Sequence, residues 1–334
     1  MSARKKQKGA LPAVAILGGG RLGRAVAQVI VRGGAPVRLW ARRELLRAQV
    51  KSELPDVVVT GSVQEAAAGA PLVLFAVPAP ALTEVAAAFG EVASGDQIVL
   101  HGCRGVSGEE SFLLPHAAIR RETCVKKIGA LGGPLYVEDI DSGRPIAAVL
   151  GSRFDEVKAA VKELVAGTNV RLHGTRDLIG VEVAGAISNV AALAAGMSDA
   201  LELGETARGV LLTHGLSEAT RIGLSLGAEL ATFSGLAGVG DLIPRDITST
   251  RRNERVGQLV ARGTSLDDAL LEVQGIVEGV TTAREARRLA ERCDLELPLI
   301  AAVSDVLAGR RSAREALAEV LSQDLRLGSE LSAR

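Results

Sequence analysis

Val14-Ala15-Ile16-Leu17-Gly18-Gly19-Gly20-Arg21-Leu22-Gly23, continuing into Arg24-Ala25-Val26-Ala27-Gln28-Val29-Ile30, decides the fold. An apolar run of strand length meets three glycines, and then Leu22, Ala25, Val26, Val29 and Ile30 recur at helical spacing. The glycines fit G-x-G-x-x-G in the context that motif needs, after a strand and at the opening of a helix. Gly18 permits the tight turn, Gly20 lets a backbone come close to a pyrophosphate, and Gly23 allows helix and strand to pack. The first helical turn, at Arg21 and Leu22, offers free N–H groups to an anion.

Working outward, short apolar runs alternate with helical patterns. Strands are expected at Ala13 to Leu17, Pro36 to Trp40, Val57 to Thr60, Leu72 to Val77, Gln97 to Leu100, Lys127 to Leu131, Ile146 to Gly151 and Asn169 to His173. They do not alternate apolar and polar residues, which implies a parallel sheet covered on both faces. After about Gly174 the strand runs stop. Helical periodicity takes over, at Val181 to Met197, Ala207 to Leu226, Ser265 to Gln274 and Thr281 to Arg292. The expected fold is α/β: a Rossmann-type doubly wound sheet over residues 11–175, followed by an all-helical domain over 176–334. Residues 1–10 form a basic tail.

Composition narrows the function. Lysine plus arginine and aspartate plus glutamate both number 39, so no net field draws the chain to nucleic acid or an anionic membrane. Aromatics at 2% leave few platforms for stacking bases. The apolar stretches are interrupted by Pro, Gly or Glu well before the roughly 20 residues a span requires, so no membrane span and a cytoplasmic location are expected. Cys103, Cys124 and Cys293 are odd in number and lack CxxC pairing, so they read as reduced thiols and not as a disulfide frame or a metal site.

An acidic residue about 20 positions beyond the glycines would take the ribose 2′-hydroxyl of NAD. The second strand instead ends Trp40-Ala41-Arg42-Arg43, with no carboxylate before Glu44. A pair of guanidiniums suits the 2′-phosphate of NADP; a solvated arginine pair is the plain alternative. The cofactor is therefore NADP or NAD, leaning to NADP.

Thr232-Phe233-Ser234-Gly235-Leu236-Ala237-Gly238-Val239-Gly240-Asp241-Leu242 resembles TFSGLAGLGDL of the bacterial NAD(P)-dependent glycerol-3-phosphate dehydrogenase family. Arg252-Asn253 stand where that family has SRN. Val181-Glu182-Val183-Ala184-Gly185-Ala186 is similar to its VELGGAL, and Ile276-Val277-Glu278-Gly279-Val280-Thr281-Thr282-Ala283 to its VVEGVxTA. The resemblance runs from Val14 to about Leu307. It implies reversible hydride transfer between glycerol 3-phosphate and dihydroxyacetone phosphate, at a site between the two domains, in the setting of glycerophospholipid biosynthesis. It also implies a small phosphorylated substrate. Gly133, Asp241, Arg252 and Asn253 fall at substrate positions, and Val137, Arg252, Ile276 and Glu278 at cofactor positions. A homodimer is plausible, because small-residue helices can face a partner as readily as a core.

The chain departs from the family where the chemistry lies. The lysine of the family's KN pair, which takes the hydroxyl proton, is Ser188 here, before Asn189. The lysine of its TKG turn is Arg104, the small hydroxyl after GP is Leu135, and the serine of SRN is Arg251. The stretch before SRN reads Asp246-Ile247-Thr248. Arginine stays protonated in proteins and cannot act as a base. His101, at the end of the fifth strand, is a candidate substitute base and His214 a weaker one; a histidine satisfied by ordinary hydrogen bonds is the preferred reading of each. Three functions are compatible with the sequence. They are a slow or surrogate-base glycerol-3-phosphate dehydrogenase, a dehydrogenase for a different hydroxy substrate, and a catalytically impaired dinucleotide-binding sensor.

Overall fold

A computed structural model describes residues 11–107, 112–243 and 252–324. The basic tail, Asp246-Ile247-Thr248 and Arg251 lie outside the described residues.

Every expected strand forms: β1 (Val14–Leu17), β2 (Val37–Trp40), β3 (Val58–Thr60), β4 (Leu72–Phe75), β5 (Ile98–His101), β6 (Lys127–Gly132), β7 (Ile146–Gly151) and β8 (Val170–Thr175). They make one eight-stranded sheet in the order β3-β2-β1-β4-β5-β6-β7-β8. The first six follow the doubly wound order, with the switch point between β1 and β4. Full burial of β1 and β4 on both faces explains their unbroken apolar sequence.

Helices α1 (Arg21–Arg32), α2 (Glu44–Glu53), α3 (Val63–Ala67), α4 (Ala79–Gly90), α5 (Pro115–Glu122), α6 (Val137–Asp141) and α7 (Asp155–Leu164) connect the strands. The expectation of an all-parallel sheet needs correction, because β6 and β7 run antiparallel, with Ala130 opposite Gly151. Their connection carries only the five-residue α6, which turns the chain back beside β6 instead of over the sheet.

The second half is helical: α8 (Leu178–Ala200), α9 (Gly204–Ser225), α10 (Leu230–Ser234), α11 (Val239–Leu242), α12 (Arg252–Ala261), α13 (Leu266–Val273), α14 (Glu278–Cys293), α15 (Pro298–Leu307) and α16 (Ala313–Ser322). Asp177 starts α8 as an N-cap, accepting from Gly180 N–H at 2.8 Å. Its other oxygen takes the Glu229 N–H at 2.9 Å and the Thr232 hydroxyl at 2.6 Å. One carboxylate thus fixes the start of the long helix and the approach to α10.

At 23 residues, α8 is long and apolar enough to cross a bilayer, contrary to the expectation that no stretch reaches that length. However, 89% of its apolar window is buried in the protein, which makes it a core helix. Glycines let α12 press against it: a Cβ on Gly196 would overlap the Glu254 carbonyl, and one on Gly257 the Leu193 carbonyl. This contact brings Asn253 to Asn189. The helical core also takes in Val106, Phe112, Leu114, Ala130 and Val149 from the first half, so the two halves share packing around the site.

Candidate functional site

Each loop glycine has a distinct environment. Gly18 has φ +131, and a Cβ there would collide with the Ala76 carbonyl; a Cβ on Gly23 would overlap the Gly18 carbonyl oxygen. These two let β1, β4 and α1 close on one another. A Cβ on Gly20 would meet nothing within 4 Å. Gly20 is the N-cap of α1, with no side-chain cap, so the first-turn N–H groups face open space beside it. That cradle fits a pyrophosphate. Backbone forms it: Arg21 is ion-paired to Glu138 of α6, and Leu22 packs where a Cβ on Gly102 would sit, at 2.6 Å. Val137, the first residue of α6, packs with Leu135 against the cluster of Ala25, Val29, Ile140 and Ile146.

Beyond β2 the two arginines differ. Arg42 is ion-paired to Glu84 at 2.7 Å and lies 6.0 Å from the Trp40 ring centroid. Arg43, the N-cap of α2, is exposed, and its side chain has no partner among the described residues. Arg47 donates to the carbonyls of Ala41 at 3.1 Å and Arg42 at 2.7 Å, which fixes the turn that presents both.

Three distant segments meet at Arg104. Arg104, in the loop after β5, donates to Ser188 Oγ on α8 at 2.9 Å and is ion-paired to Asp241 on α11. Ser188 donates in turn to the Gly185 carbonyl at 2.9 Å, so its proton is committed to the helix backbone. Asn189 donates to the Arg104 carbonyl at 2.6 Å and accepts from Asn253 Nδ2 at 2.9 Å; Asn253 accepts from Gly279 N–H at 3.0 Å. A Cβ on Gly279 would lie 2.5 Å from Asn253 Oδ1, so only glycine admits this chain. Glu278 accepts from Ala79 N–H at 2.8 Å, tying α14 to α4 across the halves.

Burial works against the Arg104 charge, but the Asp241 carboxylate outweighs it and holds the guanidinium above its ordinary pKa. Burial pushes the Glu278 carboxyl up; the Ala79 N–H, Arg104 and Arg252 oppose it. Asp241 is 3% exposed, and its Oδ1 is buried without a hydrogen-bond partner among the described residues. Arg252 is exposed at the start of α12, and a Cβ on Gly275 would come 2.9 Å from its Nη1. Gly275 (φ +117) leads into Ile276, which is 42% exposed, so Arg252, Ile276 and Glu278 share one rim. Gly133 (φ +80) packs its turn against the Leu236 carbonyl and brings the β6 loop to the segment that carries Asp241.

Three expectations need correction. His101 does not face the crevice: it is fully buried, with Nε2 2.9 Å from Glu182 Oε1, and so is no surrogate base. His214 lines a separate cavity of about 480 Å³ with Arg221, Pro298 and Asp324, away from Arg104. Leu135, which would fit a changed pocket if it replaced the family's small hydroxyl at the substrate, instead packs into the apolar cluster against α1. The sequence reading also passed over His116, whose Nδ1 lies 2.5 Å from Glu182 Oε2; no spacing or motif marks it.

The profile described as NAD-dependent glycerol-3-phosphate dehydrogenase N-terminus matches residues 13–158, and that described as the C-terminus of the same enzyme matches 177–318. The chain is similar to "Glycerol-3-phosphate dehydrogenase [NAD(P)+]" of Dechloromonas aromatica, 37% identical, covering 93% of this chain and 98% of that protein. It is similar to the protein of that name from Geobacter sulfurreducens, 33% identical, covering 94% and 98%. The crystal structure of glycerol-3-phosphate dehydrogenase from Coxiella burnetii superposes with a TM-score of 0.87 at 28% identity, covering 94% of this chain and all of that one.

Proposed function

The chain belongs to the NAD-dependent glycerol-3-phosphate dehydrogenase family, and we propose that it interconverts glycerol 3-phosphate and dihydroxyacetone phosphate with a nicotinamide dinucleotide. The observation that carries this reading is the convergence of Arg104, Ser188 and Asp241, from the loop after β5, α8 and α11, at the edge where the glycine cradle lies.

The dinucleotide, when bound, gives or takes a hydride at its nicotinamide. The residues to hold it are the backbone of Gly18, Gly20, Arg21, Leu22 and Gly23 at the pyrophosphate, with Val137, Ile276 and Glu278 along the rim. For the finer preference we propose NADP, with Arg43 as the cation for a 2′-phosphate. Arg42 would first have to leave Glu84.

Arg104 plays the electrophile. Its permanent charge stabilises negative charge on the C2 oxygen as the carbonyl is reduced, a role suited to a fixed donor in a partly dry site. Asp241 holds Arg104 in place with one oxygen and accepts from a substrate hydroxyl with the other. Asn189 and Asn253 fix the Arg104 backbone, and Arg252 takes the substrate phosphate. Ser188 steadies Arg104 and is no base, because its proton is held by the Gly185 carbonyl and no basic group adjoins it among the described residues. With no base at Ser188, the proposed route for the proton is between the C2 oxygen and solvent. Losing a positioned base lowers the rate by about 10²–10⁴-fold, so a slow enzyme is expected.

The test follows reduced-nicotinamide absorbance with dihydroxyacetone phosphate, using NADPH and NADH in turn. Turnover that disappears in Arg104→Ala, with dinucleotide binding retained, is the expected result. Dinucleotide binding with no turnover at any substrate concentration would overturn the reading.

A further inference from the structure

Glu182 is a buried acid that the reaction above does not use. Its carboxylate accepts the His116 backbone N–H at 2.7 Å at the start of α5, meets His116 Nδ1 at 2.5 Å and lies 2.9 Å from His101 Nε2. Burial alone would raise its pKa, but the contacts with His101 and His116 prevail and hold it at about 2. It is therefore charged throughout the neutral range and needs its partners, since an unpaired buried carboxylate is strongly disfavoured.

Where Glu182 sits on α8 is the telling point. Positions 182, 185 and 189 lie on one helix face, with Ser188 beside them. That face grips a single short segment of the first half in two places. Glu182 holds His101 at the end of β5, while Ser188 and Asn189 hold the Arg104 side chain and carbonyl three residues later. Gly185 passes between the two grips, where a Cβ would lie 3.9 Å from the Arg104 Cγ. His116 extends the first grip to α5, on the far side of the loop that carries Arg104.

We propose that Glu182, clamped between His101 and His116, is a positioning residue that sets the register of α8 against the Arg104 loop and so aims the Arg104 guanidinium. It acts only through Arg104 and touches neither substrate nor cofactor. As a catalytic statement it rests on the function proposed above; as a statement about the loop it does not. With the clamp intact, one carboxylate fixes His101, at the start of the Arg104 loop, and the start of α5 at His116. Without it, Arg104 keeps its contacts with Ser188, Asn189 and Asp241, but the start of the loop at His101 is released and the guanidinium is aimed less firmly. Misplacement of a charged donor lowers kcat more than it raises KM, because the oxyanion it serves forms only during reaction.

The experiment compares the whole protein with Glu182→Gln, which keeps the shape and removes the charge, and with His116→Gln, which alters only the half-buried partner. Amide hydrogen exchange is read by peptide across Gly102–Val106 and across β1 and β2. Steady-state kinetics are measured with dihydroxyacetone phosphate, and dinucleotide affinity by titration. In Glu182→Gln, exchange in the Arg104 loop should rise about tenfold to a hundredfold, the range expected when a buried partner is left unsatisfied. Exchange in β1 and β2 should hold, kcat should fall with little change in KM, and dinucleotide affinity should stay the same. His116→Gln should change the same quantities in the same direction by less. Unaltered loop exchange in the folded variants overturns the proposal, as does a rise spread evenly over the sheet. Should Glu182→Gln fail to fold, His116→Gln decides by the same exchange criterion. A wild-type protein with no turnover defeats the enzymatic reading alone, because loop exchange still judges the clamp.

Discussion

Replacing Asp241 by Asn removes the carboxylate that pairs with Arg104 and alters the buried Oδ1, to which the proposed mechanism gives the substrate hydroxyl. The pair is intermediate in kind, since the Asp241 side chain is 1% exposed and that of Arg104 is 34% exposed. Breaking a fully buried pair costs about 3–5 kcal/mol, and an exposed one about 0–1. Discounting for the solvent that reaches Arg104 gives about 2 kcal/mol. A chain of this length has an unfolding entropy near 0.7 kcal/mol/K, so the melting temperature should fall by about 3 °C. Activity should fall further, because a hydrogen bond to a charged group contributes about 1.5–3 kcal/mol, or roughly 10- to 100-fold in kcat/KM. The assay pairs thermal unfolding, followed by circular dichroism, with initial rates. Asp241→Asn, Arg104→Ala and the double variant make a cycle with an expected coupling of about 1–2 kcal/mol. A variant that loses stability but keeps kcat/KM would refute the substrate role of Oδ1. One that keeps both would show the pair to be idle.

The glycine loop gives a sharper contrast. Gly20→Ala should fold normally and bind dinucleotide at least tenfold more weakly, since its Cβ points only into the cradle; Gly23→Ala should lose stability, since its Cβ overlaps the Gly18 carbonyl. Equal thermal stability of the two variants would contradict this division. For the cofactor preference, Arg43→Ala should weaken NADPH by about 1–2 kcal/mol and leave NADH unchanged, with Arg42→Ala having the smaller effect; fluorescence titration measures both. Glu218 on α9 is fully buried, and burial raises its carboxyl from 4.5 to about 7 against the opposing N–H groups of Ile300 and Leu299 and the Arg221 charge. The folded state then binds the proton more tightly than the unfolded one. Stability is fully present below about pH 4.5 and declines by about 3 kcal/mol as pH rises through 7. Urea midpoints across that range should show this slope in the wild-type protein and lack it in Glu218→Gln, and parallel curves would refute it.

The strands and the turn at Gly18 to Gly23 were legible because period and glycine placement are properties of a short window, and local sterics carry them. So was the change to an all-helical second half. The chemistry was legible only as residue types. Arg104 meets Ser188 across 84 positions and Asp241 across 137, and no local pattern reports such a meeting. His101 shows the gap most plainly. Strand position placed it at the crevice edge, yet its side chain turns beneath the loop toward Glu182, because α8 and α5 bring a carboxylate and a helix N-terminus to that side. Leu135 followed the apolar cluster against α1 in the same way, and β7 reversed because its link to β6 carries only the short α6.

By itself, then, the sequence determined which segments become strands and helices and where a glycine turn opens the first helix, since both are settled within a dozen neighbouring residues. Tertiary structure decided which side chains face one another, which proton is held and which oxygen stays free. Those outcomes depend on how α8 and α12 pack, through glycines that admit one backbone to another.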